Sequence, residues 1–139
     1  MSDASAILLE EFARRQDLQI GAMDEEGWMT LRVDKEMEVH VRVAGDLVLE
    51  AEVACLPEAG RESTLEKLLQ VAFTRFRRQP EVLFLKGDIL YLRRTLILAG
   101  LSVVGLEEAL EGFLNALEFW RRQLSLSIPA TLPTGILYP

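Results

Sequence analysis

The stretch Pro80-Glu81-Val82-Leu83-Phe84-Leu85-Lys86-Gly87-Asp88-Ile89-Leu90-Tyr91-Leu92-Arg93-Arg94-Thr95-Leu96-Ile97-Leu98 decides how the rest of this chain is read. Val82 to Leu85 and Ile89 to Leu92 are two apolar runs joined by Lys86-Gly87-Asp88, which is the pattern of a tight β-hairpin. A strand with one wet face alternates apolar and polar residues, and neither run does. Both faces of the hairpin therefore need cover. One face can be given to the chain's own helices, and the other is expected to meet a second copy or a partner.

Working outward from the hairpin, three strands are expected before it and a helix on either side. Trp28 to Val33 places Met29, Leu31 and Val33 on one side and Trp28, Thr30 and Arg32 on the other. After an Asp34-Lys35 turn, Met37, Val39, Val41 and Val43 alternate with Glu36, Glu38, His40 and Arg42. Beyond Ala44-Gly45-Asp46, Leu47, Leu49, Ala51 and Val53 alternate with Val48, Glu50 and Glu52. Three strands so joined form an antiparallel meander with one charged face.

Helices are expected at both ends and in the middle. Residues 3–16 have Asp3 or Ser5 to cap and Arg14-Arg15 to suit the C-terminal dipole. Leu8 and Phe12 share a side there, while Ile7 and Leu9 point elsewhere, so this helix is expected to touch more than one thing. Ser63-Thr64-Leu65-Glu66 reads as a capping box opening a second helix to about Arg77. Its apolar residues Leu65, Leu68, Leu69, Val71, Ala72, Phe73 and Phe76 spread over roughly 200° of the circumference, wider than a single core contact requires. From Leu106 a third helix carries Ala109, Leu110, Phe113, Leu114, Leu117, Trp120 and Leu124 on one face, with Phe119 pointing away.

The order helix, three strands, helix, two strands, helix gives an α+β fold, α-β-β-β-α-β-β-α, with a mostly antiparallel twisted sheet and helices packed on it. With 139 residues, half of them apolar, residues 1–126 are read as a single domain. The segment 127–139 is uncharged, carries Pro129, Pro133 and Pro139, and is read as an extended or flexible tail.

Composition excludes several function classes. The N-terminus lacks a basic start and apolar run, and the longest charge-free apolar run, Thr95 to Leu106, is short of the roughly 20 residues a membrane span needs. The expectation is a cytoplasmic protein with no membrane association. A net charge of −7 argues against nucleic acid as a partner. The single cysteine, Cys55, excludes an internal disulfide and a cysteine-rich zinc site, and reads as a small buried apolar residue.

No catalytic, metal or cofactor set is expected. His40, the one histidine, lies mid-strand beside Glu38 and Arg42; a metal site with Glu50 or Glu52, or a base for Cys55, would need converging partners, and a solvated strand residue is the simpler reading. The acidic clusters Asp24-Glu25-Glu26 and Glu107-Glu108-Glu111 sit in a turn and at a helix start, where acids are favoured anyway. The glycines lack phosphate-cradle spacing. Arginine pairs at 14–15, 77–78, 93–94 and 121–122 raise an anion site, but three of them suit the ends of helices. The surplus apolar surface at Leu9, Phe12, Trp28, Phe119, the second helix and the hairpin points instead to protein interaction.

At this point the chain resembles the CesT-type (Tir chaperone) family of class I type III secretion chaperones. The resemblance lies in Met23-Asp24-Glu25-Glu26-Gly27 leading into Trp28 to Asp34, the Leu68-Leu69 pair, Leu85 to Leu92, and Leu106 to Trp120 with its closing Arg121-Arg122. It covers nearly everything to about residue 126. Gln70 stands where the family often has asparagine after the leucine pair, and the tail is not covered.

The resemblance implies a homodimer, without enzymatic activity, that binds the N-terminal segment of a secreted effector in extended form and keeps it soluble and competent for secretion. It also implies the secretion ATPase as a candidate further partner. The expected effector-binding residues are Leu8, Leu9, Phe12 and Trp28, with apolar strand residues near them. The expected dimer interface is Leu65, Leu69, Ala72, Phe73, Phe76 and Tyr91. The rival readings are a regulatory partner of the same fold that sequesters a transcriptional regulator, and a small α+β enzyme acting in a helix–sheet pocket.

Overall fold

The protein's structure, a computed structural model, describes residues 3–34, 37–75 and 79–127. The chain forms α1 (Asp3–Gln16), β1 (Gln19–Ile20), β2 (Trp28–Arg32), β3 (Glu38–Ala44), β4 (Asp46–Cys55), α2 (Arg61–Arg75), β5 (Val82–Lys86), β6 (Ile89–Leu96) and α3 (Val103–Ser127). The six strands make one antiparallel sheet in the order β1-β2-β3-β4-β6-β5. The meander and the hairpin are thus joined through β4 and β6, and β5 is an outer strand.

Local chemistry explains most of these boundaries. The hairpin closes with two residues, since Lys86 is paired with Ile89, and Gly87 takes a φ of 63° at the first loop position, where only glycine fits without strain. Ser102 caps α3, its Oγ accepting from the amide of Gly105 at 3.0 Å. The helix therefore starts at Val103, three residues before the expected Leu106. The capping box expected at Ser63 is not the start of α2 either. Gly60, with φ 73°, hands its carbonyl to the amide of Thr64 at 2.9 Å, and the helix begins at Arg61. Thr64 is fully buried, so its position inside the first turn is a packing position.

The short β1 escapes the periodicity because two residues carry no period. It pairs Gln19 with Arg32 and Ile20 with Leu31, and Gly21 extends it by donating to the Thr30 carbonyl.

Alternation along the strands divides the sheet into two unlike faces. Met29, Leu31, Val39, Val41, Leu47, Leu49, Ala51, Leu90 and Leu92 are buried on one face. There they share a core with Leu9 and Phe12 of α1, Leu68 of α2, and Leu106, Phe113, Leu117, Trp120 and Leu124 of α3. The opposite face carries Trp28, Thr30, His40, Arg42, Glu50, Tyr91, Arg93 and Phe84, all half-buried. That face is a ladder of polar and aromatic pairs: Glu50 accepts from Arg93 Nη2 at 2.6 Å, Arg93 lies 4.7 Å over Phe84, and Phe84 stacks on Tyr91 at 5.2 Å.

Two expectations are corrected here, and one arginine is placed. Cys55 is exposed: strict alternation from Leu47 through Val53 would bury it, but the slip in pairing between Glu52 and Ala54 sets it opposite Ile89 instead. Phe119 does not point away from the protein; it is half-buried between Trp120, met edge-on, and Arg75 of α2. Arg94 belongs to the inner sheet face, where it meets Glu81 at 3.6 Å and the carbonyl of Ala109 at 3.5 Å.

Candidate functional site

α2 is the helix with the least cover among the described residues. Among its described residues only Thr64 and Leu68 are buried, and it packs on α3 alone of the other elements to any extent. Leu65 and Ala72 are half-buried, while Leu69 and Phe73 are 67% and 84% exposed. These four stand at i, i+4, i+7 and i+8, a spacing that puts them on one side of the helix. A phenylalanine this exposed leaves apolar surface in water that a partner would remove.

The start and end of α2 are held differently. At the start, Arg61 pairs with Asp88 of the hairpin turn at 3.0 Å and donates to the carbonyls of Leu56 and Pro57. Near the end, the Arg75 guanidinium sits 3.7 Å over the Phe119 ring, and its Nε has no hydrogen-bond acceptor among the described residues. Glu81 follows, with a side chain only 3% exposed and one carboxylate oxygen without a hydrogen-bond partner among the described residues. Burial pushes the Glu81 carboxyl above its ordinary range, against the pull of Arg94 and Arg75.

The hairpin supplies a second uncovered surface. Val82 is 60% and Leu85 42% exposed on the outer strand β5, whose free edge pairs with no further strand among the described residues. By register, Leu83 and Leu85 lie on the inner face with Leu92 and Leu90, and Val82 and Phe84 lie on the outer face with Arg93 and Tyr91. Tyr91 is therefore turned away from the face on which α2 and α3 pack. The structure brings Leu65, Leu69, Ala72 and Phe73 together, but it does not bring Tyr91 to them; Phe76 lies outside the described residues.

The residues expected to bind an effector are likewise divided. Leu9 and Phe12 are 3% and 1% exposed, being spent in the core of the one chain. Leu8 is half-buried and Ile7, two residues before Leu9, is exposed. Trp28 lies on the opposite sheet face, half-covered by Arg42 at 4.7 Å. Val82 and Leu85 belong to the hairpin whose faces were expected to need cover, whereas Ile7 is apolar surface that the sequence reading did not single out. The signal was available for Ile7, which points away from Leu8 and Phe12 on any helical wheel.

The remaining candidates for chemistry are held in structural roles. His40 Nδ1 is 3.1 Å from Thr30 Oγ1, and its cross-strand neighbour Glu50 accepts from both Nε and Nη2 of Arg93. Arg121 donates to the carbonyls of Val53 and Glu52, and Arg15 pairs with Glu107 at 3.5 Å. Arg77-Arg78 lie outside the described residues. Among the described residues no group of three or more His, Cys, Asp or Glu side chains gathers to hold a metal, and no helix is long and apolar enough to cross a membrane.

Comparison with known proteins adds a family and a fold. The model of the Tir chaperone protein (CesT) family matches residues 7–121. No curated protein sequence matches the chain. Among solved structures, the chain is similar to one in the crystal structure of the ExsC–ExsE complex, at 27% identity and a TM-score of 0.69, over 89% of this chain and 97% of that one. It is similar in fold to one in the HopA1–SchA chaperone–effector complex, at 17% identity and TM-score 0.64, over 88% and 99% of the two chains. A third is in the structure of the Yersinia pestis type III secretion chaperone SycH with a stable fragment of YscM2, at 22% identity and TM-score 0.64, over 81% and 96%.

Proposed function

The chain belongs to the Tir chaperone protein (CesT) family, and from that premise we propose that it is a cytoplasmic type III secretion chaperone. In this reading it binds the N-terminal segment of a cognate effector in extended form, as a homodimer and without catalysis. The observation that carries it is the exposed stripe of α2. A helix that buries two residues and exposes Phe73 is built to meet another protein surface.

The stripe suits the dimer contact better than the effector contact. A stable interface buries roughly 800 Å² on each partner, more than four side chains of one helix supply, so the contact extends to the inner-face residue Leu85 at the hairpin edge. Tyr91 has no part in it. For the effector the available surface is Ile7 and Leu8 on α1 and Trp28 with its neighbours on the outer sheet face. Each 100 Å² of apolar surface covered there contributes about 2.5 kcal/mol, so a segment held at a few such points stays bound without folding.

Co-expression with secreted proteins from the same genome, followed by pull-down and native mass measurement, tests this. The expected species holds two copies of this chain and one effector segment. A monomer that retains no secreted protein overturns it.

A further inference from the structure

We propose that Arg42, held over the ring of Trp28 on the outer sheet face, recognises a single carboxylate in an extended peptide segment, with an aliphatic residue two positions away lying against Val48. Identifying that segment as an effector's rests on the reading above; the recognition chemistry adds how the segment is chosen.

Arg42 stands apart from the other arginines of its face. Arg32 is neutralised by Glu38 at 2.6 Å and Arg93 by Glu50 at 2.6 Å. Among the described residues no carboxylate pairs with Arg42, and its Nε is buried without a hydrogen-bond partner. Neither Nη is enclosed, and neither has an acceptor among the described residues. A guanidinium partly stripped of water and lacking a counter-charge gains more from a carboxylate than a fully solvated one does, through charge-assisted hydrogen bonds.

The side chain is also fixed before any ligand arrives. Its guanidinium lies 4.7 Å from the centre of the Trp28 ring, and its aliphatic part passes Gly27, where a Cβ would meet Cγ at 3.7 Å and Cδ at 3.8 Å. Trp28 is held in turn by Asp24, whose Oδ1 accepts from the amides of Trp28 and Glu26 at 2.9 Å. An arginine ordered in this way loses less freedom on binding.

The surroundings define what flanks the carboxylate. Trp28, Arg42, Val48 and Thr95 form a cross-strand row over β2, β3, β4 and β6, and Arg42 is its one charge. Ile97, just beyond the end of β6, is 72% exposed. Side chains on one side of an extended peptide recur every roughly 7 Å, and paired strands lie about 4.8 Å apart. A peptide crossing the row with its carboxylate on Arg42 therefore sets the residue two positions along on the uncharged surface of Val48 and Thr95. The chain's net charge of −7 disfavours a run of acids, so the site selects one carboxylate in a neutral or basic segment.

Selection of a displayed library of random short peptides on the full chain, and in parallel on Arg42→Gln, tests this. The wild type should enrich Asp or Glu two positions from Leu, Ile or Val, and the variant should lose that enrichment. In one selected peptide, replacing the acid by its amide should weaken binding to the wild type by about tenfold and leave binding to Arg42→Gln unchanged. The loss on the wild type is read without any change to the protein, so it stands even where the variant folds poorly. A library without binders, binders without the acid, or a loss that persists in a folded Arg42→Gln overturns the proposal. The chaperone reading fails separately: the acid signature would appear while co-expression retains no secreted protein, which leaves the site in place with another ligand.

Discussion

The guanidinium of Arg75 lies 3.7 Å over the ring of Phe119, and this stack ties the last turn of α2 to the middle of α3. Arg75 Nε has no hydrogen-bond acceptor among the described residues, so the ring is its partner. Such a contact contributes about 0.5–2 kcal/mol, and Phe119→Leu should lower stability by that order in urea titration. Hydrogen exchange gives the sharper check. Amides of α2 should exchange faster in the variant while those of α3 hold; equal acceleration in both would mean that the stack does not specifically anchor α2.

Phe73→Glu should abolish dimerisation in sedimentation equilibrium while leaving the unfolding free energy of the monomer within about 0.5 kcal/mol of wild type, because the side chain makes no buried contact within one chain. Tyr91→Ala, on the other face of the sheet, should leave dimerisation intact. The reverse pattern would move the interface to the outer face.

Glu81→Gln tests the buried carboxylate. Burial raises the folded-state pKa of Glu81 above its ordinary 4.5, so its contribution is favourable below that value and is lost as pH rises through the raised folded value. The amide that replaces the carboxyl stays neutral throughout. The stability difference between variant and wild type should therefore grow in the variant's favour from about pH 4 to pH 7, measured by denaturant titration. A variant that loses ground as pH rises would mean that the ion pair with Arg94 outweighs the burial cost.

On α1, Phe12→Ala should destabilise the protein by about 3–5 kcal/mol, as large-to-small changes in a packed core do. Ile7→Asp should leave stability nearly unchanged and weaken effector binding in calorimetry. Unaltered binding in Ile7→Asp would remove α1 from the effector surface.

Much of this fold is legible in the chain because alternation is legible. The strands of the meander and the hairpin follow from Val39, Val41, Leu47 and Leu49 facing one way and His40, Arg42 and Glu50 the other. The width of the apolar stripe on α2 is equally plain from Leu65 to Phe73, and its excess is the part left exposed. What a period cannot convey is which of two apolar faces a neighbour covers. Leu9 and Phe12 look like spare surface until α3 is placed against α1, and Tyr91 looks like a companion of Phe73 until the hairpin register turns it to the opposite side. Arg93 and Arg94 are alike in the sequence, yet one stacks on the open face and the other is enclosed with Glu81. Capping residues mislead where packing claims them first, as with Thr64.

Between Glu52 and Ala54 the pairing of β4 with β6 slips by a residue, and the carbonyls of Glu52 and Val53 are taken by Arg121 at 2.8 Å and 3.2 Å. The irregularity works as an indexing notch. It lets a side chain of α3 engage the sheet at one fixed point along the helix and at one rotation about its axis. Phe119, two residues earlier, is thereby aimed at Arg75, and α2 takes its orientation from the same notch. Restoring a regular ladder would release that setting, and the surface offered to partners would lose its fixed angle to the sheet while the core stayed packed.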